Sequence, residues 1–450
     1  MKEAKINKSL KRSLKALKEK NFTEYQHIHF VGIGGSGMSS LAELLHTDGR
    51  VITGSDLKHS KVAETLAVAG IKILIGQDEQ AVPSGTEAIV YSAAIPELDQ
   101  KFFRKLKKIG VPLYEYHEAV GEYAKQKHTV AISGTHGKTT TTAMVASILK
   151  AADIGASALV GGVMNDTGSG VYAGNGDTFV VEADEYKNGF LYLSPSVLVI
   201  TNIDLDHVNF FTDISAVQNS FKQLIRRVPA DGVIICDPSD PKVIPVIAKT
   251  KHPVVDYTSV SLEGINLKIP GEHNRKNAKA ALAAVGILGI SPEIAIKALC
   301  NFSGTGRRFE DKGKMKNGAT VFDDYAHNPQ KVAAAIAGAR EAFPDKKLTV
   351  VFQPHLFSRT RAFLDEFASA LSVADSLIVT DIYAAREKMD LSVTAKDLVD
   401  RIRKLNKNVL HIRAFDDVVS ELNKSKGEKD LIMTVGAGDI TKVSEMLIAA

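Results

Sequence analysis

Residues 129–149 read TVAISGTHGKTTTTAMVASIL, and few folds accommodate such a stretch. A short β-prone run, residues 129–132, meets Gly134 and Gly137, then Lys138 and four threonines. From Ala143 the chain turns helix-forming, with apolar residues at Met144, Ile148 and Leu149. Strand, glycine loop and helix in that order are the setting of a phosphate-binding loop. Glycines let backbone N–H groups turn inward around a polyphosphate, and the helix N-terminus adds its positive end. Lys138 supplies a mobile charge and Thr139 a hydroxyl suited to Mg²⁺. The candidate nucleotide-binding residues are therefore Gly134, Thr135, His136, Gly137, Lys138, Thr139 and Thr140. The spacing is tighter than G-x-x-x-x-G-K-[ST]. Ile132 stands where the first glycine would, so Gly134 makes the turn.

A second glycine loop lies about 100 residues upstream. His27 to Val31 reads as a strand, Gly32-Ile-Gly34-Gly35-Ser36-Gly37 follows, and residues 38–46 read as a helix. This is G-x-G-x-x-G in the strand-to-helix context it requires. Gly34, Gly35, Ser36 and Gly37 are placed to hold a pyrophosphate. Asp56, at the end of the next strand, sits where a ribose-binding acid would, and Ser92 follows a later strand. The pattern fits a UDP compound as well as NAD, so an oxidoreductase remains an alternative at this point. Two phosphate loops argue for two nucleotide sites on two domains, with a polar boundary at residues 125–128.

Two strands after the central loop end in polar clusters: Glu182-Ala-Asp184-Glu185, and Asn202-Ile-Asp204-Leu-Asp206-His207. Residues at the C-terminal ends of strands in an open α/β sheet meet the ligand. Glu182 and His207 are thus candidate metal ligands beside the phosphate loop, with Thr139. Asn274 and Asn277 open a later helix, where they either cap it or reach a base or ribose. Arg307 and Arg308, in GTGRRFE, suit a developing phosphate charge.

From Ala319 a third β/α series begins. Its strands end in Asp323-Asp324-Tyr325-Ala-His327, in Gln353-Pro-His355-Leu-Phe-Ser358-Arg359-Thr-Arg361, in Asp381 and in Gly436-Ala-Gly438. The expected fold class is α/β with three domains: a Rossmann-like N-terminal domain, a central P-loop ATPase-type domain on a parallel sheet, and a Rossmann-like C-terminal domain. The expected boundaries are a basic extension over 1–26, then 27–126, 127–312 and 313–450. The extension is read as solvated, with a short amphipathic helix through Leu10, Leu14 and Leu17.

The net charge of +4 over 450 residues gives no dedicated nucleic-acid surface. Cys236 and Cys300 are the only cysteines, without metal-ligand spacing, which fits a reducing cytoplasm. No apolar run reaches the ~18 residues of a membrane span, and the first twenty residues lack the apolar core of a signal peptide.

FVGIGGSGMSSLAELL, SGTHGKTTTT, EADE, TNIDLDH, GEHNRKNAKAAL, GTGRRFE, DDYAHNP, FQPHLFSRT and GAGDI occur in this order. The ordered set resembles the Mur ligases of peptidoglycan synthesis from about residue 27 onward. The resemblance implies ATP-driven amide formation through an acyl phosphate, with ATP and two Mg²⁺ ions. It implies UDP-N-acetylmuramate and L-alanine as substrates; a cytoplasmic monomer or weak homodimer is expected. It places UDP, not NAD, on the first glycine loop. It gives Lys138, His207 and Arg308 catalytic roles, and Thr139, Glu182 and His207 the metal. Asn274, Asn277, Asp324, Tyr325 and His327 fall to the nucleotide. His355, Arg359 and Arg361 fall to the incoming amino acid, with Arg359 as carboxylate anchor and His355 orienting the amine.

Overall fold

The computed structural model describes residues 20–76, 78–208, 210–385, 387–405 and 408–449. The helix expected through Leu10, Leu14 and Leu17 lies outside these residues. Three sheets organise the chain. The first holds β1 (His27–Val31), β2 (Val51–Asp56), β3 (Lys72–Ile75), β4 (Ala88–Tyr91) and β5 (Leu113–Glu115), all parallel, in the order β3-β2-β1-β4-β5. The second holds β6 (His128–Ser133), β7 (Ser157–Leu159), β8 (Val171–Tyr172), β9 (Thr178–Glu182), β10 (Val197–Ile200), β11 (Val233–Cys236) and β12 (Val254–Asp256). Its order is β12-β11-β10-β6-β9-β7-β8, with only the β7–β8 pair antiparallel. The third holds β13 (Glu310–Lys314), β14 (Thr320–Asp324), β15 (Lys347–Phe352), β16 (Ser376–Val379), β17 (Val409–His411) and β18 (Asp430–Val435). Its order is β13-β14-β18-β15-β16-β17, and β13 runs antiparallel to β14.

The first two sheets belong to one compact unit, and the third sheet with residues 205–213 and 261–279 to another. Strands β5, β7, β8, β12, β13 and β17 were not anticipated from the sequence. Each is short or lies at a sheet edge, where half-exposed positions blur the apolar signal. β15 shows why the long central strands were readable. Leu348, Val350 and Phe352 enter one core cluster with Val332, Phe367 and Leu398, whereas Val351 enters the opposite cluster with Ile378, Ile432 and Val443. Alternate side chains point to opposite faces, so a strand covered by helices on both sides reads as a continuous apolar run.

The solvated reading of residues 1–26 fails for its last part. Phe22 is 1% exposed and Tyr25 fully buried. Their rings pack on Tyr114, with the Phe22 and Tyr114 centroids 5.0 Å apart at 70°. The Gln26 N–H, moreover, donates to Glu87 Oε2 at 2.5 Å. Two aromatics just before β1 give the chain a reason to fold back, since each buries a large apolar area. Phe22→Ala is therefore expected to lower stability by about 3–5 kcal/mol, measured by urea unfolding. A change near zero would return this segment to solvent.

Candidate active site

In the N-terminal unit the phosphate loop follows β6, which lies between β9 and β10 at the middle of its sheet. That position delivers Glu182, the last residue of β9, to one side of the loop, and Thr201 and Asn202, just after β10, to the other. Gly134 has φ +129°, and a Cβ there would overlap Thr201 Oγ1, so only glycine serves. Thr201 Oγ1 donates to His136 O at 2.6 Å, and the His136 N–H donates to Asn202 Oδ1 at 2.9 Å. Thr135 Oγ1 and Asp204 exchange hydrogen bonds of 2.8 and 3.1 Å. Thr135 and His136 thus hold the loop in shape. The helix Lys138–Ala151 begins after Gly137 with no side-chain cap. The first N–H groups of a helix have no intrahelical acceptor, so those of Lys138, Thr139 and Thr140 suit an anion.

Lys138 Nζ donates to Gly134 O at 2.8 Å and to Glu185 Oε2 at 2.7 Å, with Asp184 Oδ1 3.6 Å away. Burial opposes its charge, but Glu185, Asp184 and Glu182 together raise its pKa above the ordinary lysine value. Burial pushes the Glu185 carboxyl up to about 7 despite Lys138. Thr139 Oγ1 donates to Glu182 Oε1 at 3.1 Å, and the Gly161 N–H to Glu182 Oε2 at 2.9 Å. A hydroxyl and a braced carboxylate are hard oxygen donors of the kind Mg²⁺ takes.

The first glycine loop lies in the same unit. Gly32 has φ +80°, and the helix Ser36–Thr47 starts after Gly35 with no side-chain cap. A Cβ on Gly37 would come within 2.6 Å of the Tyr116 ring, a ring that feels the charges of Glu182 and Asp184. Asp56 braces the loop itself: its two oxygens accept from the Gly34 N–H at 2.8 Å and the Lys58 N–H at 3.3 Å. The Ser92 N–H bonds Val31 O at 3.1 Å, and its hydroxyl accepts from the Ala94 N–H.

In the C-terminal unit the central group is Asp206, which sequence reasoning passed over in favour of its neighbour His207. Asp206 is 3% exposed. It accepts from Arg359 Nη2 at 3.1 Å, Asn328 Nδ2 at 3.0 Å and Lys331 Nζ at 3.5 Å. Burial alone would raise its pKa, but Lys331 and Arg359 hold the carboxyl well below the usual range. The signal was present in TNIDLDH, but nothing in a linear reading says which acid is buried.

Arg359 Nη1 donates to His355 Nδ1 at 3.2 Å. That leaves the proton of a neutral His355 on Nε2, which then donates and cannot receive an amine proton. Burial, with Arg359, lowers the His355 pKa to about 4. His355 is therefore a neutral hydrogen-bond donor through Nε2. His327 is the opposite tautomer: Nδ1 donates to Tyr325 O at 2.8 Å, leaving Nε2 as an acceptor. Arg361 is placed differently from Arg359. It is paired with Asp390 and with Ser392 Oγ at an exposed position. Two residues on a helix lie about 200° apart around the axis, so Arg359 and Arg361 of the helix Phe357–Ala362 face different sides.

The arginine pair divides in the same way. Arg307 is a brace, bonded to Asp323 Oδ2 at 2.9 Å, Gly436 O at 2.6 Å and Gly438 O at 3.1 Å. The Arg308 guanidinium sits 4.9 Å from the Tyr325 ring centre and makes no hydrogen bond to a described residue. Asp324 braces its loop, accepting from the Phe309 and Ala326 N–H groups at 2.8 Å each. Asn274 and Asn277, at the start of the helix Glu272–Ile287, are buried. Asn274 Nδ2 donates to Pro270 O at 2.7 Å, and Asn277 Nδ2 to Asn274 Oδ1 at 3.3 Å.

The folded-state pKa of Asp206 is depressed, so its stabilisation is complete above the unfolded value of about 4 and is lost as pH falls through lower values. Asp206→Asn should therefore be less stable than the parent at neutral pH, with the gap narrowing below about pH 4. Denaturant unfolding across pH 2.5–7 measures this; a constant gap contradicts it.

Family models match along the chain: Mur ligase family, catalytic domain, at residues 27–128; Mur ligase middle domain at 132–264; and Mur ligase, glutamate ligase domain, at 307–438. A UDP-N-acetylmuramate–L-alanine ligase from Caldanaerobacter subterraneus subsp. tengcongensis is 39% identical over 96% of this chain and 99% of its own. One of the same name from Salinibacter ruber is 37% identical over 94% of each chain. Among solved structures, a UDP-N-acetylmuramate-alanine ligase from Thermotoga maritima superposes with a TM-score of 0.77 at 27% identity, covering 94% of this chain and 98% of that one. A murein peptide ligase from Psychrobacter arcticus gives 0.70 at 25%, with the same coverage. Matched on all three sheets and over nearly its whole length, the chain belongs to the Mur ligase family and has that family's three-domain α/β fold.

Proposed function

We propose that this ligase joins L-alanine to the carboxylate of UDP-N-acetylmuramate, converting ATP to ADP and phosphate, in peptidoglycan precursor synthesis. The observation that carries the reading is the gathering of Lys138, Thr139 and Glu182 at the loop after the middle strand of the central sheet. Relatives of the same name at 37–39% identity favour the single amino acid over a peptide.

A carboxylate is a poor electrophile, and phosphorylation gives it a leaving group. The muramyl carboxylate attacks the γ-phosphorus of ATP, ADP departs, and the acyl phosphate forms. The alanine amine attacks the acyl carbon and phosphate leaves from the tetrahedral intermediate. Two anions must meet, so positive charge at the phosphates governs the rate. Lys138 and the N–H groups of residues 137–140 hold the β- and γ-phosphates. Arg308 is the cation left open to take the transferring group. Thr139 and Glu182 would hold one Mg²⁺ and His207 a second; bound there, the ions neutralise charge on the phosphoryl oxygens. Gly34 to Gly37 hold the UDP pyrophosphate, with Asp56 acting through the loop it braces. Asn274, Asn277 and Tyr325 serve the nucleotide. Arg359, and His355 through Nε2–H, take the alanine carboxylate. Arg359 keeps N–H donors beyond those given to Asp206 and His355, and a guanidinium binds a carboxylate through two of them. Among the described residues no helix is long and apolar enough to cross a membrane; the cytoplasm is the proposed compartment, and monomer or weak homodimer the proposed state.

Phosphate release from ATP, with UDP-N-acetylmuramate present and L-alanine, other amino acids or a free L-alanyl tripeptide supplied in turn, tests the reading. Release is expected with L-alanine, and strict dependence on the tripeptide would replace this function by a peptide ligase. Lys138→Ala and Glu182→Ala are each expected to reduce kcat at least ~10²-fold, as for loss of a group that stabilises transition-state charge. Arg359→Lys is expected to raise the KM for L-alanine about tenfold or more while leaving that for ATP nearly unchanged, because an ammonium lacks the fork. A rise confined to ATP would make Arg359 a phosphate ligand.

A further inference from the structure

Lys138 already has a partner. Its side chain is 11% exposed and that of Glu185, bonded to it at 2.7 Å, is 2% exposed. Burying a carboxylate and an ammonium together is costly, and removing either leaves the other uncompensated. Glu185 is also held from both sides. The Asn188 N–H bonds Glu185 O at 2.9 Å, and the Phe190 N–H bonds Asp184 O at 2.9 Å. Lys187 and Asn188, which follow, have φ of 51° and 60°, a left-handed conformation that asparagine tolerates and lysine rarely adopts. Asn188 is fixed there by Ser220 Oγ, and Phe190 by edge contact with Phe221 at 5.2 Å. The chain accepts strain beside the loop, and the result is a carboxylate set against the lysine that meets phosphate.

We infer that Glu185 is the resident counter-ion of Lys138, a positioning residue that is displaced from the ammonium by the incoming polyphosphate and so sets the affinity for ATP and ADP. The inference rests on the reading of this loop as the nucleotide site. While the loop is empty, Glu185 compensates the buried ammonium and keeps it folded over Gly134. When β- and γ-phosphates arrive they compete for the same Nζ, and the fixed carboxylate repels them. Weaker binding of ATP and ADP follows, which favours product release over tight ground-state binding.

Calorimetric titration of the full chain with ATP, ADP and AMP, with Mg²⁺ and again with a chelator, tests this. Glu185→Gln is expected to bind ATP and ADP about tenfold tighter in both conditions, with AMP unchanged because it carries no β- or γ-phosphate for Lys138. In a Lys138→Gln background the gain for ATP should shrink, because the competition for Nζ is gone and only direct repulsion of the phosphates remains. If Glu185→Gln fails to fold, as thermal melting would show, Glu185→Asp serves, since it keeps the charge but withdraws it from Nζ; the same direction with a smaller change is expected. Unchanged or weaker binding of ATP overturns the proposal. Weakening seen only with Mg²⁺ would make Glu185 a metal ligand instead, and a shift shared by AMP would make its role one of shape. A parent chain that binds none of the three would refute the nucleotide site itself, a result distinct from all of these.

Discussion

The nucleotide half of this enzyme depends on one turn, made by Gly134 at the end of the middle strand of a seven-stranded sheet. Because β6 is flanked by β9 and β10, the turn sits between two other strand ends, and each contributes. β9 brings Glu182 to Thr139, and β10 brings Thr201 and Asn202, which clamp the backbone of His136. No side chain fits at residue 134, since a Cβ would overlap the Thr201 hydroxyl. The loop is therefore braced by the protein's own hydrogen bonds, and such bracing is what lets aligned N–H groups stabilise charge without reorganising.

Charge around the candidate site is pre-paired. Lys138 is matched by Glu185, Arg307 by Asp323, and Arg359 by Asp206. Buried ions demand such partners. The pairing also sorts the residues by use. Arg307 spends its donors on Asp323 and two carbonyls and becomes scaffold, whereas the Arg308 guanidinium lies over the Tyr325 face. Arg359 fixes the tautomer of His355, and the Tyr325 carbonyl fixes that of His327. Two histidines of the same unit thus present opposite hydrogen-bonding characters. Backbone and charged neighbours decide this, and the histidines' place in the sequence does not.

Much of this protein was determined by its sequence alone. Glycine-rich turns between a strand and a helix report a backbone requirement, and a linear reading detects it: both phosphate loops are where Gly32 to Gly37 and Gly134 to Lys138 placed them. Long buried strands such as β6, β10 and β15 were readable as apolar runs, and the ordered motifs fixed the family. Tertiary structure alone decided which polar residues are buried together. Asp206 outranks its neighbour His207 as the hub of the C-terminal unit, Glu185 occupies Lys138, and Arg361 faces away from Arg359 to meet Asp390. It also decided that Phe22 and Tyr25 belong to the first domain. The physical reason is common to all four. A pair's strength depends on distance and on exclusion of water, and both come from residues 29 to 153 positions away in the chain.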